Sequence, residues 1–256
     1  MTETSVSLAQ RLRADETIVT AWSTLAVPML AELLGRAGYP AVTLDMQHGA
    51  HDIASVRDGI SAARLGGAHA VVRPPVDDFA TVSRLFDLGA EAVIMPMVNT
   101  PEDALALVAA AKYPPLGARS WGPHRAAMLQ GVTPADYLER ANRETIALAM
   151  IETPAALEAL DEILAVDGLD GVFVGPGDMS LTLSDGAELN PSSERVQTIA
   201  ADVAAKAKAA GKLAGIFTNS VEDAKRGKEM GFRFIALGID MGLFVDAAAD
   251  MAGKLR

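Results

Sequence analysis

Short apolar runs rich in Val, Ile and Ala recur along the chain at residues 17–22, 41–44, 70–72, 92–95, 146–151, 171–174, 213–217 and 234–237. Within each run the residues stay apolar instead of alternating with polar ones. That is the pattern of parallel strands covered by helices outside and packed side chains within. Helical punctuation fills the intervals. Thr100-Pro101 and Thr153-Pro154 each set a cap residue before a helix-start proline, and Gly35, Gly38, Gly66, Gly89, Gly211 and Gly231 follow helical stretches as stop signals. Strands alternating with helices in this way predict an α/β fold, a (β/α)8 barrel forming a single domain over residues 1–256. An open doubly wound sheet is the competing architecture. It is disfavoured because no strand leads into a Gly-x-Gly-x-x-Gly turn. From Met241 on, apolar side chains at 241, 244, 245, 248, 252 and 255 predict a last amphipathic helix. The irregular stretches 113–133 and 181–191 are read as lids or substrate walls on the catalytic side.

Composition narrows the functional classes. The 256 residues are half apolar, enough to bury one large core, and contain no cysteine. A disulfide framework, a thiolate zinc site and a cysteine nucleophile are therefore excluded. The opening segment Met1-Thr-Glu-Thr-Ser-Val-Ser-Leu-Ala-Gln10 lacks the charged-then-apolar layout of a signal peptide, and no run approaches the roughly 18 apolar residues of a membrane span. A cytoplasmic location is the expectation. The net charge of −11 argues against nucleic acid and anionic membranes as partners. A small anionic substrate remains compatible, since it needs only one or two local cations.

The polar residues at the ends of the runs carry the chemistry. Glu152 follows the run 146–151 and Asp178 the run 171–174, so both carboxylates point to one rim, the rim where such barrels do chemistry. If the two runs are neighbouring strands, about 4.8 Å apart, both acids ionise together only with a cation between them or well separated in water. A hard divalent cation such as Mg²⁺, Mn²⁺ or Co²⁺ fits oxygen donors of this kind. The plainer alternatives are an N-cap for Glu152 and a turn residue for Asp178. Asp45 and His48, in Leu44-Asp-Met-Gln-His-Gly49, follow the second run and could pair, with Asp45 fixing the imidazole tautomer; an ordinary loop histidine is the alternative. Arg73 ends the third run and suits an oxyanion or carboxylate, or else a structural ion pair with a rim acid. Gly175-Pro176-Gly177 leaves backbone N–H groups able to approach an anion. No lysine lies in a strand or at its catalytic end, so a Schiff base has no candidate.

These pieces together resemble the HpcH/HpaI aldolase family of metal-dependent class II pyruvate aldolases. The markers are Leu44-Asp-Met-Gln-His-Gly49, Val72-Arg-Pro74, Met95-Pro-Met-Val98, Tyr113-Pro-Pro-Leu-Gly-Ala-Arg119, Ile151-Glu-Thr153 and Val172-Phe-Val-Gly-Pro-Gly-Asp178, spread from Ala21-Trp22 to Gly238-Ile-Asp240. The resemblance implies a barrel whose last helix is exchanged between partners, in dimers assembled into hexamers. It assigns the divalent cation to Glu152 and Asp178, the pyruvyl oxygen to Arg73, the proton to His48 with Asp45, and the pyruvate carboxylate to the backbone at Gly177 and Asp178. Trp22, Phe217 and the loop from Ser120 to Arg125 are assigned to the aldehyde side. Gln47, Met150 and Gly177 depart from the residues expected there (glutamate, glutamine and alanine), which bears on acceptor specificity.

The function so implied is reversible aldol cleavage of 4-hydroxy-2-oxo acids to pyruvate and an aldehyde. Cleavage of a malyl- or citramalyl-thioester is the alternative within the lyases. It would call for basic residues to meet the nucleotide phosphates, and no basic cluster stands near the rim. A non-catalytic metal-binding barrel subunit is the third reading, opposed by the intact set Asp45, His48, Arg73, Glu152 and Asp178.

Overall fold

All eight apolar runs form strands: β1 Ile18–Ser23, β2 Ala41–Asp45, β3 His69–Arg73, β4 Ala92–Met95, β5 Ile146–Ile151, β6 Gly171–Val174, β7 Leu213–Thr218 and β8 Phe234–Ile239. The structure is a computed structural model that describes residues 6–254. The strands close into a barrel in sequence order, every neighbouring pair parallel and β8 returning to β1. This is the (β/α)8 barrel that the pattern predicts.

Side-chain parity divides the core in two. In a strand, alternate residues face opposite sides, so Ile146, Leu148 and Met150 of β5 point into the barrel with Phe173, Ile94, Val71 and Trp22. Ala147, Ala149 and Ile151 point outward to the helices, with Val172, Val174 and Val93. The short helix Leu8–Arg13 adds Leu8, Ala9 and Leu12 to the inner cluster and so plugs the barrel floor. Buried ion pairs secure that floor. Glu91 accepts from the backbone of Leu8 at 3.1 Å and faces His69 at 3.0 Å, and Lys112 pairs with Asp170 at 2.6 Å.

Most of the predicted punctuation is realised. Thr100 and Thr153 cap their helices, and Gly89 and Gly231 close theirs in the left-handed conformation. Gly35 is not a stop: the helix Pro28–Arg36 runs past it, in close contact with Gly66 after the next helix. The stretch 113–133 also differs from expectation. It contains the helix His124–Gln130 and joins the helix Pro101–Ala111 to Pro134–Glu144, which enters β5. It thus connects a helix end to a strand start, at the end of the barrel opposite the rim. The stretch 181–191 follows the helix Pro176–Leu183 after β6 and does lie on the rim side.

The last helix, Asp240–Gly253, is buried only at Asp240. It leaves Met241, Leu243, Phe244, Val245 and Met251 exposed; Leu255 lies outside the described residues. Among the described residues no helix is long and apolar enough to cross a membrane.

Candidate active site

The inward parity of the strands carries past their ends. Trp22 on β1, Asp45 on β2, Arg73 on β3, and Glu152 and Gly175 just after β5 and β6 continue the inward-facing series. They meet in a cavity of about 250 Å³ at the rim, lined also by Thr24, His48, Met150, Phe173, Gly177, Asp178, Phe217 and Ile239. One wall is aromatic. Trp22 meets Phe217 edge-on with ring centroids 5.2 Å apart and Phe173 at 5.9 Å.

Arg73 is held in place from two directions. Its Nε and Nη2 donate to Oδ1 and Oδ2 of Asp45 at 2.8 and 2.7 Å, and its guanidinium carbon stands 4.9 Å from the Trp22 ring centroid. Among the described residues Nη1 has no protein partner, which leaves one donor edge for the cavity. Asp45 is buried, and burial alone would raise its pKa. The Arg73 contacts outweigh that and, with the Trp22 indole N–H and the Gln47 backbone N–H, hold the carboxyl below its ordinary value.

This geometry corrects one expectation. Asp45 reaches His48 only through the backbone N–H, at 3.4 Å, because its two oxygens are occupied by Arg73, Trp22 and the turn backbone. Asp45 therefore does not set the tautomer of the His48 imidazole; its partner is Arg73. His48 itself lines the cavity from an exposed loop position. The structural role considered for Arg73 is also realised, since it makes the ion pair and lines the cavity at once.

Glu152 is 1% exposed. Its Oε1 accepts from the N–H of Met97 at 2.8 Å, and Met97 holds a left-handed φ of 54° to do so. Its Oε2 is buried and, among the described residues, has no hydrogen-bond partner. A Cβ on Gly175 would lie 2.4 Å from that oxygen, so only glycine leaves room for it. Burial pushes the Glu152 pKa up to about 7; the Met97 N–H works against the rise and the Asp178 charge adds to it. The N-cap alternative does not hold, because Thr153 caps the following helix. Asp178 stands in the first turn of the helix Pro176–Leu183, facing Glu152 across the β5–β6 pair. Next to it, Gly177 has open space where a Cβ would stand.

An orphaned buried carboxylate oxygen beside a second carboxylate is the donor set of a hard divalent cation that takes its remaining ligands from water or substrate. Among the described residues no third His, Cys, Asp or Glu joins them. Among the described residues no lysine lines the cavity. Lys112 is buried, but its ammonium bonds to Thr145 O at 2.6 Å on the barrel floor.

Ser120 does not belong to this cavity. It is exposed in the loop on the far end of the barrel, next to Arg119, which pairs with Asp87 at the end of the helix Phe79–Leu88 at 2.6 Å. Met150, marked in the sequence as bearing on specificity, lines the cavity, and Thr24, Phe173 and Ile239 line it without having been singled out from sequence. For Thr24 and Phe173, extending the inward parity of β1 and β6 would have found them. Ile239 follows an irregularity in the β8–β1 register that parity does not foresee.

Comparison with known proteins extends these observations. The sequence model of the HpcH/HpaI aldolase/citrate lyase family matches residues 19–247. A hydroxypyruvate/pyruvate aldolase of Rhizorhabdus wittichii is 40% identical over 235 residues, covering 92% of either chain. A 5-keto-4-deoxy-D-glucarate aldolase of Citrobacter koseri is 35% identical over 96% of this chain and 94% of its own. Among solved structures, the HpcH/HpaI aldolase of Desulfitobacterium hafniense superposes with a TM-score of 0.89 at 28% identity, over 98% of this chain and 97% of its own.

Proposed function

The chain belongs to the HpcH/HpaI aldolase/citrate lyase family, and from that premise we propose that it is a class II pyruvate aldolase. It would cleave 4-hydroxy-2-oxo acids reversibly to pyruvate, or a hydroxylated pyruvate, and an aldehyde. The observation that carries this reading is the unpartnered Oε2 of Glu152, buried beside Asp178 in a cavity that also receives the free edge of Arg73.

Glu152 and Asp178 would hold the divalent cation. Once bound, the cation supplies Lewis-acid polarisation of the substrate's 2-oxo carboxylate. Arg73 donates to the C2 oxygen as negative charge develops there, and its pairing with Asp45 keeps that donor in position without reorganisation. The backbone at Gly177 and Asp178, in the first turn of a helix, receives the substrate carboxylate. His48 is assigned to the proton of the C4 hydroxyl. As that proton leaves, the C3–C4 bond breaks, its electron pair passes into the enolate of pyruvate, and C4 departs as the aldehyde carbonyl. Protonation of C3 completes the product. Trp22 and Phe217 form an apolar wall that keeps water from the carbanionic carbon. The thioester alternative is less well supported, because among the described residues Arg73 is the one arginine or lysine lining the cavity.

The same reading includes an assembly. The exposed apolar residues of Asp240–Gly253 suit a helix that packs on a partner chain, in dimers assembled into a hexamer.

The test is pyruvate release from a panel of 4-hydroxy-2-oxo acids, before and after chelation and with Mg²⁺, Mn²⁺ or Co²⁺ restored. Activity should vanish with the cation and return with it. Full turnover in a verified metal-free sample would overturn the mechanism.

A further inference from the structure

The Gly238-Ile-Asp240 segment has no part in the chemistry above, yet it ends on a carboxylate of unusual connectivity. Asp240 is only 5% exposed and does not line the cavity. It accepts from Ser23 Oγ at 3.0 Å, Thr24 N at 2.9 Å, Thr24 Oγ1 at 2.8 Å and Leu25 N at 3.0 Å. Its own neighbour Met241 donates a further N–H at 2.8 Å. One carboxylate thus gathers the whole turn that follows β1.

That turn in turn supports the loop bearing His48. Thr24 O accepts the N–H of Ala50 at 2.8 Å. A Cβ on Gly49 would lie 3.0 Å from Thr24 Cα and 2.3 Å from Asp45 O, so the two loops touch through backbone. A second link runs through Ser23. Its hydroxyl lies 3.0 Å from Asp240 Oδ2 and 3.1 Å from His51 Nε2. A serine has one proton and a carboxylate can only accept, so Ser23 donates to Asp240 and accepts from the Nε2–H of His51. Asp240 is therefore joined to the His48 loop at Ala50 and again at His51. By contrast, Glu152 and Asp178 belong to the β5 and β6 ends, and among the described residues neither is hydrogen-bonded to this network.

We propose that Asp240 is a positioning residue for the reaction: through Ser23, Thr24 and Leu25 it holds the His48 loop and the Thr24 wall of the cavity in register with the cation-binding acids. This rests on the aldolase reading and deepens it, because it separates two supports of the site: Asp45 holds Arg73 and the start of the His48 loop, while Asp240 secures the far side of that loop and Thr24. One half of the site, Arg73 with Glu152 and Asp178, makes the enolate. The other, Thr24 and His48, handles the aldehyde end. Because Asp45 still holds Arg73, loss of Asp240 should disturb chiefly the second.

The experiment compares two reactions in the wild type, Asp240→Asn and Ser23→Ala, all in the presence of Mg²⁺ or Mn²⁺. One is cleavage of a 4-hydroxy-2-oxo acid; the other is exchange of the pyruvate methyl protons in D2O, followed by NMR. Asparagine keeps the shape of the aspartate but offers a single acceptor oxygen and turns an NH2 toward backbone donors. A misplacement of about 1 Å can cost on the order of 100-fold in rate, so Asp240→Asn should lose about 10- to 100-fold in cleavage kcat while exchange stays within about threefold. Ser23→Ala, which removes one of the side-chain donors, should show a smaller loss with the same selectivity, and it serves should Asp240→Asn fail to fold. Equal loss of both reactions in the variants would reduce the network to a folding element and overturn the proposal, as would wild-type cleavage in both. A wild type that performs neither reaction would overturn the aldolase reading, and this proposal with it.

Discussion

A carboxyl group buried to 1% exposure beside another carboxylate is costly to ionise, and Glu152 shows that cost as a pKa pushed up to about 7 from an ordinary 4.5, with burial as the main cause. In the unfolded chain it ionises near the ordinary value, so between the two values the folded state binds more protons. Stability of the cation-free protein should therefore fall as pH rises from 4.5 to 7 and level off above, by on the order of 3 kcal/mol for this group. Glu152→Gln removes the penalty. In chelator, the variant should melt above the wild type at pH 8 and alongside it at pH 4, and a lower melting temperature at pH 8 would refute this account. The same shift governs ligand binding: protons compete for the site, so calorimetric affinity for Mn²⁺ should drop about tenfold per pH unit below 7. Glu152→Gln should abolish it. At the other side of the cavity the proposed mechanism separates the roles of Arg73 and His48 by reaction. Arg73→Ala should lower both cleavage and pyruvate proton exchange by about 10²–10³, since both pass through the enolate. His48→Ala should lower cleavage by about 10²–10⁴ and exchange far less. Equal losses in His48→Ala would make the histidine the base for enolisation too.

At the scale of elements, the period of two along each strand is what delivers these residues. Met150 is inward on β5, so Glu152 is inward two residues later; Phe173 is inward on β6, so Gly175 is as well. The strands β5 and β6 pair from Leu148↔Gly171 to Ile151↔Val174, which brings Gly175 against Glu152. Gly175→Ala is the test of that juxtaposition. Its Cβ would stand 2.4 Å from Glu152 Oε2, so the glutamate must move away from Asp178. The expected result is a barrel with unchanged circular dichroism and a cation affinity at least tenfold weaker, on the scale of a disturbed ligand shell. Wild-type affinity would mean that the cation does not use Oε2. The two irregular stretches were both read onto the catalytic side, and only one lies there, for an elementary reason: irregular composition marks a loop, but the end of the barrel it occupies follows from whether it leaves a strand or enters one. The stretch 113–133 precedes β5, and that order places Ser120 away from the rim.

For the whole molecule, the two ends of the barrel divide the work. The floor is closed by the N-terminal helix and by ion pairs such as Lys112–Asp170, while the rim holds the cavity. The last helix starts at the rim with Asp240 and carries an exposed apolar face beyond it. Phe244 is 69% exposed and its apolar neighbours Met241, Val245 and Met251 are exposed as well, a surface that a partner chain is expected to cover. Phe244→Asp should reduce the mass measured by light scattering from that of an oligomer toward a smaller species. An unchanged mass would show that this face stays in water.

Fold class was written in the sequence because it depends on local periodicity: eight continuous apolar runs, separated by capped helices, have one economical closed arrangement. The identities of Arg73, Glu152 and Asp178 as rim residues follow from the same pattern, since Arg73 ends a run, Glu152 directly follows one and Asp178 lies in the helix turn that leaves another. What the sequence could not express is partnership between residues far apart. Asp45 sits three positions from His48 yet bonds to Arg73, 28 positions on, because parallel pairing sets β3 beside β2 in register. Asp240 holds Thr24 across 216 positions because closing the barrel brings β8 next to β1. Hydrogen-bond direction, burial and the raised pKa of Glu152 arise only from that closure, since each depends on which groups displace water around a side chain, and only the tertiary structure decides that.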